Sequence, residues 1–332
     1  YKDFPHIHGK IFVEMETGRL TVDILMATFN GEKYLNEQLT SLEHQTWSQW
    51  RLTVCDDGSS DRTVEILEEF QRRMGKEKVR IIRNDPPTGS AKNNFIQMLK
   101  ECGGQYIMCC DQDDLWHTDK IKKTLGCMRR MEEKYGRQTP LMVHTDLRVV
   151  NEALHELHPS FHKYVDLFHD GRLSHELIQN QVTGCTVMIN GALRSYLDRI
   201  DDFDSILMHD HWLAITAIVF GKIGYLNVAT IDYRQHGDNS VGAANARSFS
   251  YLWKRFCRGK SDFRQDMKKS TEQCAYFCRI YASCIENKKM LQLLDEYASL
   301  YAKTKMARMT AFFRYGFWKK GWIRKVMQVI WG

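Results

Sequence analysis

Three carboxylates that lie together in the sequence are the side chains best suited to chemistry. Asp111, Asp113 and Asp114 surround Gln112 directly after the apolar run 106–110, which is typical of a buried strand. Neighbouring carboxylates repel one another, and burying them without a partner is unfavourable. A divalent cation such as Mg²⁺ or Mn²⁺ removes both difficulties, because it prefers oxygen ligands and bridges to phosphates. A solvated acidic turn that caps the following helix is the alternative interpretation.

The segments that must position this motif alternate between strand and helix patterns. Strand-like apolar runs cover 22–28, 52–55, 79–82 and 106–110, with helical patterns at 33–45, 64–70 and 91–100 between them. The alternation predicts an α/β fold with a mostly parallel sheet, flanked by helices and joined by right-handed crossovers. Ligands of such sheets bind beyond the carboxyl ends of the strands. We therefore expect Asp56, Asp57 and the 111–114 motif to meet in one crevice.

The remainder of the chain predicts three regions. Further strand patterns occur at 141–146, 182–189, 223–226 and 229–233, with helical patterns at 120–135 and 208–220. Beyond residue 246 the pattern is helical throughout. We predict an N-terminal extension over 1–20, an α/β domain over 21–245 and a helical C-terminal appendage over 246–332.

Composition excludes several classes of protein. A hydrophobic content of 43% supports a packed core, and no apolar run approaches the length of about 18 residues that a membrane-spanning helix requires. The first twenty residues contain no apolar segment of the kind that secretory signals carry. Ten cysteines without a C-x-x-C pair indicate reduced, mostly buried thiols in a cytosolic protein.

The basic charge of the chain is concentrated at its C-terminal end. Eight of the 47 Lys and Arg residues lie in 297–332, which contains no Asp or Glu, and the remaining 39 face 41 acidic residues. Aromatic and aliphatic residues interleave with these cations, a pattern that favours an interfacial helix on an anionic membrane. A helical surface that forms a homodimer is compatible with this interpretation. A nucleic-acid-binding face is the least favoured of the three, so we expect no nucleic-acid partner.

The motifs together resemble the inverting glycosyltransferases of family two, which have the GT-A fold. More narrowly they resemble bacterial rhamnosyltransferases of O-antigen and rhamnan assembly. The resemblance rests on segments that come in the order of the family: 26–31, 56–61, 110–116, 183–184, 209–212 and 233–236. No G-x-G-x-x-G follows the first strand, which argues against a Rossmann-type dehydrogenase.

The resemblance implies residues that bind the sugar nucleotide. The donor-side set is Thr28, Asn30, Glu32, Asp56, Asp57, Asp111, Gln112 and Arg234. Asp113 is the expected direct ligand of Mn²⁺ or Mg²⁺, and His236 resembles the late histidine that many GT-A enzymes bring to the metal or diphosphate. Arg234 is expected to grip phosphate oxygens in a two-pronged fashion. For His236, a polar loop residue without function is the alternative.

The resemblance also implies an acceptor side. Asp210 matches the catalytic carboxylate, the base that deprotonates the acceptor hydroxyl, although it could merely cap a helix. Many relatives carry Glu-Asp at this point, whereas this chain carries His209 before Asp210. The acceptor-side candidates are Asp114, Trp116, Thr183, Gly184 and Trp212. For the two tryptophans, packing in the core is the alternative.

These observations lead to a specific expectation. The protein would transfer L-rhamnose from dTDP-L-rhamnose to a saccharide on undecaprenyl diphosphate, at the cytoplasmic face of a bacterial plasma membrane. One alternative keeps the fold and mechanism with a UDP-hexose donor. The other is a non-catalytic scaffold that holds a glycan assembly complex at the membrane.

Overall fold

The computed structural model describes residues 20–236 and 249–332, and the side chains of all of these except 249–259. Apart from its last residue, the predicted N-terminal extension lies outside the described residues. So does the predicted boundary near residue 245. Both therefore stay predictions.

The first half of the chain forms the parallel sheet that the strand–helix alternation predicts. Its elements are β1 Val22–Thr28, α1 Leu35–Glu43, β2 Trp50–Asp56, α2 Thr63–Met74, β3 Val79–Arg83, α3 Ala91–Glu101 and β4 Tyr106–Cys110. Strand β1 pairs in parallel with both β2 and β4, and β2 pairs in parallel with β3. In this register Thr28 lies level with Asp56, and Met26 with Cys110. The loops that follow these strands therefore emerge at one edge of the sheet.

The second half completes the sheet with shorter and less regular elements. They are β5 Leu115–Trp116, α4 Lys120–Tyr135, β6 Leu141–Val150, β7 Glu156–His158, α5 Phe161–Val165, α6 Leu173–Ile178, β8 Val187–Asn190, α7 Gly191–Arg194, α8 His209–Phe220 and β9 Lys222–Arg234. The predicted strand over 182–189 is wrong in its first half, because Gly184–Thr186 forms a 3₁₀ turn before β8 begins. The two strands predicted between 223 and 233 are one strand, whose pairing with β6 shifts at Asp146.

The strand order of the described sheet is β3-β2-β1-β4-β8-β6-β9-β5, with β7 added beside β6. Strand β8 is antiparallel to its neighbours β4 and β6, so the sheet is mostly parallel with a mixed second half. Buried apolar residues from the strands pack in two layers, one on each face of the sheet. This is the α/β architecture that the sequence predicts.

The C-terminal part of the chain is helical, as predicted, and packs on the sheet domain. Its helices are α9 Phe249–Tyr281, α10 Lys288–Ala298, α11 Lys305–Tyr315 and α12 Trp322–Trp331. Trp212 of α8 lies against Tyr276 and Phe277 of α9, with ring centroids 5.4 and 5.2 Å apart. One apolar core thus includes both parts of the chain. Among the helices that the structure describes, none is long and apolar enough to cross a membrane.

Candidate active site

The carboxylate of Asp56 holds the loop that follows β2. Its oxygens accept hydrogen bonds from the Thr28 hydroxyl at 2.9 Å, the Ser59 hydroxyl at 2.5 Å, and the backbone N–H groups of Gly58 and Ser59. These four donors fill the acceptor capacity of a carboxylate. The predicted donor-side pair Thr28 and Asp56 is therefore brought together, but the structure uses both side chains to fix the loops.

Asp57 anchors the loop after β3 in the same way. It accepts hydrogen bonds from the Asn84 amide at 2.8 Å, from the backbone N–H and hydroxyl of Thr88 at 2.7 and 3.1 Å, and from the Gly89 N–H at 2.9 Å. Burial raises the pKa of Asp57, but these hydrogen bonds outweigh it and hold the pKa below its ordinary value. The Asp57 side chain, like that of Asp56, therefore fixes a loop of the site.

The loop after β1 is tied to both neighbouring loops. The Asn30 side chain accepts a hydrogen bond from the Ser60 N–H, and the Glu32 carboxylate accepts one from the Arg62 N–H. The Gln112 amide makes two hydrogen bonds of 3.0 Å with the backbone of Phe29. A Cβ added at Gly31 would lie 2.4 Å from the Gln112 amide oxygen, so a larger residue there would displace the Gln112 side chain from Phe29. The predicted donor-side residues from three loops thus form one connected rim.

The two predicted metal ligands are in contact. Just after the acidic motif, β5 pairs antiparallel with β9, with Leu115 opposite Asp232. This pairing brings the residues after β9 to the motif, and His236 Nε2 lies 2.8 Å from Asp113 Oδ2. The His236 ring also packs on Tyr34, with centroids 4.9 Å apart. The Asp113 carboxylate oxygen is a ligand that both Mn²⁺ and Mg²⁺ prefer, whereas an imidazole nitrogen is more typical of other transition metals, so the fit depends mainly on Asp113.

Arg234 lies beside the Asp113–His236 contact and is held by hydrogen bonds to three residues. Its guanidinium donates hydrogen bonds to the Glu37 carboxylate at 2.5 Å, to the Glu152 carbonyl at 2.6 Å and to the Asp113 carbonyl at 3.1 Å. It also lies 4.5 Å from the centre of the Tyr34 ring. The side chain is only 2% exposed. Each part of the guanidinium is engaged inside the protein, so Arg234 would have to exchange these partners to grip phosphate oxygens, and that role stays a prediction.

A second group of possible metal ligands lies beneath the rim. Ligand atoms of Asp111, Asp114 and Cys185 lie within 4.8 Å of one another. Burial, with the neighbouring carboxylates Asp113 and Asp210, raises the pKa of Asp111 to about 7. Burial also raises the pKa of the Cys185 thiol well above its ordinary value, so the thiol stays protonated. A protonated thiol does not suit a hard cation, and the Asp113–His236 pair fits the predicted metals better.

Asp114 is fully buried, with a relative exposure of 0%. One of its oxygens lies 3.4 Å from the backbone N–H of Arg234. The prediction that Asp114 faces the acceptor is not met by this structure, because no part of the side chain reaches the surface. It lies between the acidic motif and the end of β9.

The predicted base Asp210 lies in the first turn of α8 and is 6% exposed. Burial raises its pKa to about 6, although hydrogen bonds from the His211 N–H, the Asn180 amide and the Gly184 N–H partly offset this. The Asn180 amide lies 3.1 Å from the carboxylate. A carboxylate with a pKa near 6 is ionised at neutral pH and is a stronger base than an ordinary aspartate.

The histidine before Asp210 is a packing residue. His209 is 5% exposed and stacks on Phe95, with ring centroids 4.4 Å apart. Burial lowers its pKa to about 4, so it is neutral. The predicted residue Gly184 lies against it, because an added Cβ there would be 2.7 Å from His209 Nε2. Thr183 serves this turn through its carbonyl, which accepts the Thr186 N–H at 2.9 Å.

Trp116 and Trp212 are 2% and 1% exposed, respectively. They belong to the two opposite apolar layers of the sheet. The prediction that their rings line a sugar-binding surface is not met by this structure, and the alternative of core packing describes both residues.

The sequence patterns do not identify four residues that contact the predicted site residues. Tyr34, Glu37 and Glu152 surround Arg234 and His236, and Asn180 touches Asp210. None of them lies in a motif. They lie in or beside α1, after β6 and after α6, and the folded domain brings them to the site.

The curled, mostly parallel sheet with carboxylates at the carboxyl ends of its strands has the architecture of the GT-A fold. The crystal structure of Staphylococcus aureus TarS 1-349 in complex with UDP has the same fold, with a TM-score of 0.54 at 15% identity. The match covers 88% of this chain and 74% of that one. Residues 23–136 match glycosyl transferase family 2. With the relatives described next, this match shows that the protein is a glycosyltransferase.

Two bacterial relatives are named as glycosyltransferases with different sugar donors. The dTDP-rhamnosyl transferase RfbG of Shigella flexneri is 28% identical over 228 residues, which are 66% of this chain and 74% of the relative. The UDP-Glc:alpha-D-GlcNAc-diphosphoundecaprenol beta-1,3-glucosyltransferase WfgD of Escherichia coli is 31% identical over 107 residues, which are 32% of this chain and 40% of the relative. The chain thus resembles the rhamnosyltransferases, as its motifs predict.

Proposed function

We propose that this protein is a metal-dependent inverting glycosyltransferase that moves L-rhamnose from dTDP-L-rhamnose to a lipid-linked saccharide in bacterial cell-surface polysaccharide synthesis. The observation that carries the proposal is the contact of Asp113 with His236. The charge of Asp210 contributes to the raised pKa of the neighbouring Asp111, so the proposed base lies near the acidic motif. The rhamnose donor is supported by the likeness to RfbG, which is described as a dTDP-rhamnosyl transferase.

Asp210 is the proposed base. As the acceptor hydroxyl oxygen bonds to the anomeric carbon, its proton passes to the Asp210 carboxylate. The bond between that carbon and the diphosphate oxygen breaks, dTDP leaves with the electron pair, and the configuration at the carbon inverts. The hydrogen bonds from Asn180 and the His211 N–H hold the carboxylate in one orientation during this step.

Asp113 and His236 would hold the divalent metal. A divalent metal at this position would supply Lewis-acid stabilisation of negative charge on the diphosphate. Arg234 and Tyr34 keep both ligands in place from behind. The rim formed by the loops after β1, β2 and β4 would enclose the nucleotide.

A UDP-hexose is the second candidate donor, and the likeness to the UDP-glucose-dependent WfgD favours it. The test compares sugar transfer and nucleotide release with dTDP-L-rhamnose, UDP-glucose and UDP-N-acetylglucosamine, each with Mn²⁺. Turnover with dTDP-L-rhamnose alone supports the proposal, and turnover only with a UDP-sugar refutes the rhamnose assignment. Asp113→Ala should abolish turnover, whereas the control Asp119→Ala, which removes only a 2.7 Å surface ion pair with Lys123, should not.

We also propose that the C-terminal helices bind the anionic cytoplasmic face of the membrane, where a saccharide on undecaprenyl diphosphate is available. Large apolar side chains are exposed on α11 and α12: Met306 79%, Phe313 73%, Trp322 75% and Ile330 52%. The eight basic residues of 297–332 are interleaved with them in the sequence. Trp322→Ser should reduce the fraction of protein that co-sediments with anionic vesicles. The matched control Leu157→Ser, on exposed β7, should leave that fraction unchanged.

Unchanged binding of Trp322→Ser to such vesicles would contradict the membrane proposal. Loss of a dimer in the same variant, seen by light scattering, would instead assign the apolar surface to a homodimer. Transfer by purified Asp210→Asn at the wild-type rate would point to a different base. Cellular glycan synthesis that is unchanged by Asp210→Asn, with no transfer by the purified wild type, would favour the non-catalytic scaffold.

A further inference from the structure

The residue after Asp210 is clamped by the C-terminal region. The His211 ring is 5% exposed, and its two nitrogens contact different elements. Nδ1 lies 3.0 Å from the side-chain amide of Gln273 in α9, and Nε2 lies 2.8 Å from the backbone carbonyl of Glu176 in α6. Gln273 is itself 1% exposed. A buried polar contact therefore joins the C-terminal helices to the start of α8.

The direction of each hydrogen bond in this clamp is fixed by two backbone groups. The Leu207 N–H donates to the Gln273 oxygen at 2.7 Å, so the Gln273 nitrogen must face His211 and donate to Nδ1. The Glu176 carbonyl only accepts, so the His211 proton must be on Nε2. Burial lowers the pKa of His211 to about 4, which keeps the ring neutral in this single tautomer.

The contacts of His211 continue through Glu176 and Asn180 to the proposed base, Asp210. The Glu176 carboxylate accepts the Gln181 N–H at 3.2 Å, which fixes the chain at the next residue back, Asn180. The Asn180 amide donates to Asp210, and the Asp210 carboxylate also accepts the His211 N–H at 2.7 Å. His211 thus contacts Asp210 directly through its backbone N–H, and its ring contacts Glu176, which holds the segment that carries Asn180.

The C-terminal helices hold the same segment at a second point. The Leu177 carbonyl accepts hydrogen bonds from the Ser270 hydroxyl of α9 at 2.7 Å and from the Tyr297 hydroxyl of α10 at 2.8 Å. The two hydroxyls lie 2.8 Å apart. Two independent anchors from the C-terminal region therefore converge on the short segment that carries Asn180.

We propose that Gln273 is a positioning residue for glycosyl transfer, which acts through His211 to hold Asp210 and Asn180 in the orientation that the reaction needs. This inference rests on the proposed role of Asp210 as the base. It makes the C-terminal helices a part of the catalytic centre as well as a surface for the membrane.

The test uses the full chain and two variants of Gln273. Gln273→Met keeps the size of the side chain but removes both hydrogen bonds, and we expect kcat for transfer to fall at least about tenfold. The KM for the donor should not change, because the donor rim does not touch Gln273. Gln273→Glu keeps the bond to Leu207 and can pair with a protonated His211, so it should restore most of kcat.

The matched control is Tyr276→Phe on the same helix. The Tyr276 hydroxyl accepts the N–H groups of Asp201 and Asp202 at 3.0 Å and donates to Asp201, away from His211. It should leave kcat close to that of the wild type. Nitrogen-15 NMR should show the Nε2–H tautomer of His211 in the wild type and a doubly protonated ring in Gln273→Glu.

Two outcomes would overturn the inference: equal kcat values for Gln273→Met and Tyr276→Phe, or a Gln273→Glu variant no faster than Gln273→Met. Asp210→Asn, measured alongside, separates the two proposals. If it keeps transfer, the assignment of the base fails. If it loses transfer while Gln273→Met matches Tyr276→Phe, only the positioning role fails.

Discussion

Replacement of the proposed base should make the protein more stable while it removes the activity. Asp210 is 6% exposed, and burial raises its pKa from an ordinary 3.8 to about 6. Between these two pH values the folded state binds more protons than the unfolded state, so stability falls as the pH rises. The ionised carboxylate therefore costs free energy at neutral pH, which Asp210→Asn removes without a change in size.

The size of the effect follows from the pKa values. At pH 8 the shift of Asp210 corresponds to about 3 kcal/mol, and at pH 5 to roughly half of that. Urea denaturation of the metal-free protein at both pH values measures the difference between Asp210→Asn and the wild type. Transfer by the variant should fall by about 10² to 10⁴, the range for loss of a general base.

Asp57→Asn is the matched control, because it is also 6% exposed. Hydrogen bonds from Asn84, Thr88 and Gly89 lower the pKa of Asp57, so its charge stabilises the fold above its ordinary pKa. Asp57→Asn should therefore lose stability at pH 8, opposite to Asp210→Asn. If Asp210→Asn is no more stable than the wild type at pH 8, or its advantage is the same at pH 5, the reasoning is refuted.

Three further predictions test other parts of the site. In Gly184→Ala the new Cβ would lie 2.7 Å from His209 Nε2, so the rate of transfer should fall at least about tenfold. Adding His209→Ala should restore part of that rate in a double-mutant cycle, and additive losses would contradict this. Arg234→Met removes hydrogen bonds to Glu37, Glu152 and Asp113. The free energy of unfolding, measured by urea denaturation, should fall by about 2–4 kcal/mol, and an unchanged value would contradict a structural role for Arg234. Asp113→Ala should abolish the extra rise in melting temperature that Mn²⁺ gives in the presence of dTDP; a persistent rise would place the metal elsewhere.

The sequence predicts the parts of this molecule that depend on local pattern. The strands before Thr28, Asp56 and Asp111 show as apolar runs, and the parallel arrangement then requires their ends to meet. The same rule places the acidic motif at the edge of the sheet. Asp113 and His236 are predicted as partners through the family resemblance, and the β5–β9 pairing supplies the physical reason for their contact.

The role of Arg234 shows where local pattern stops being informative. An arginine beside a histidine after a strand is compatible with binding phosphate or with bracing the fold, and the difference depends on which groups surround it. Glu37 is 197 residues away in the chain, and only the finished sheet brings it within reach. Trp116 and Trp212 are misassigned for the same reason, because burial is a property of the packed domain.

The connection between β6 and β9 has a consequence for how such enzymes diversify. The two strands are parallel neighbours, and the chain between them contains α5 to α8, with Asn180 and Asp210, as well as the strands β7 and β8. The nucleotide rim and the Asp113–His236 pair come from the strands on either side of this segment. Residues 151–221 are therefore a natural unit of exchange: a chimera that receives this segment from a relative, with the matching C-terminal helices, should keep its donor and change its acceptor.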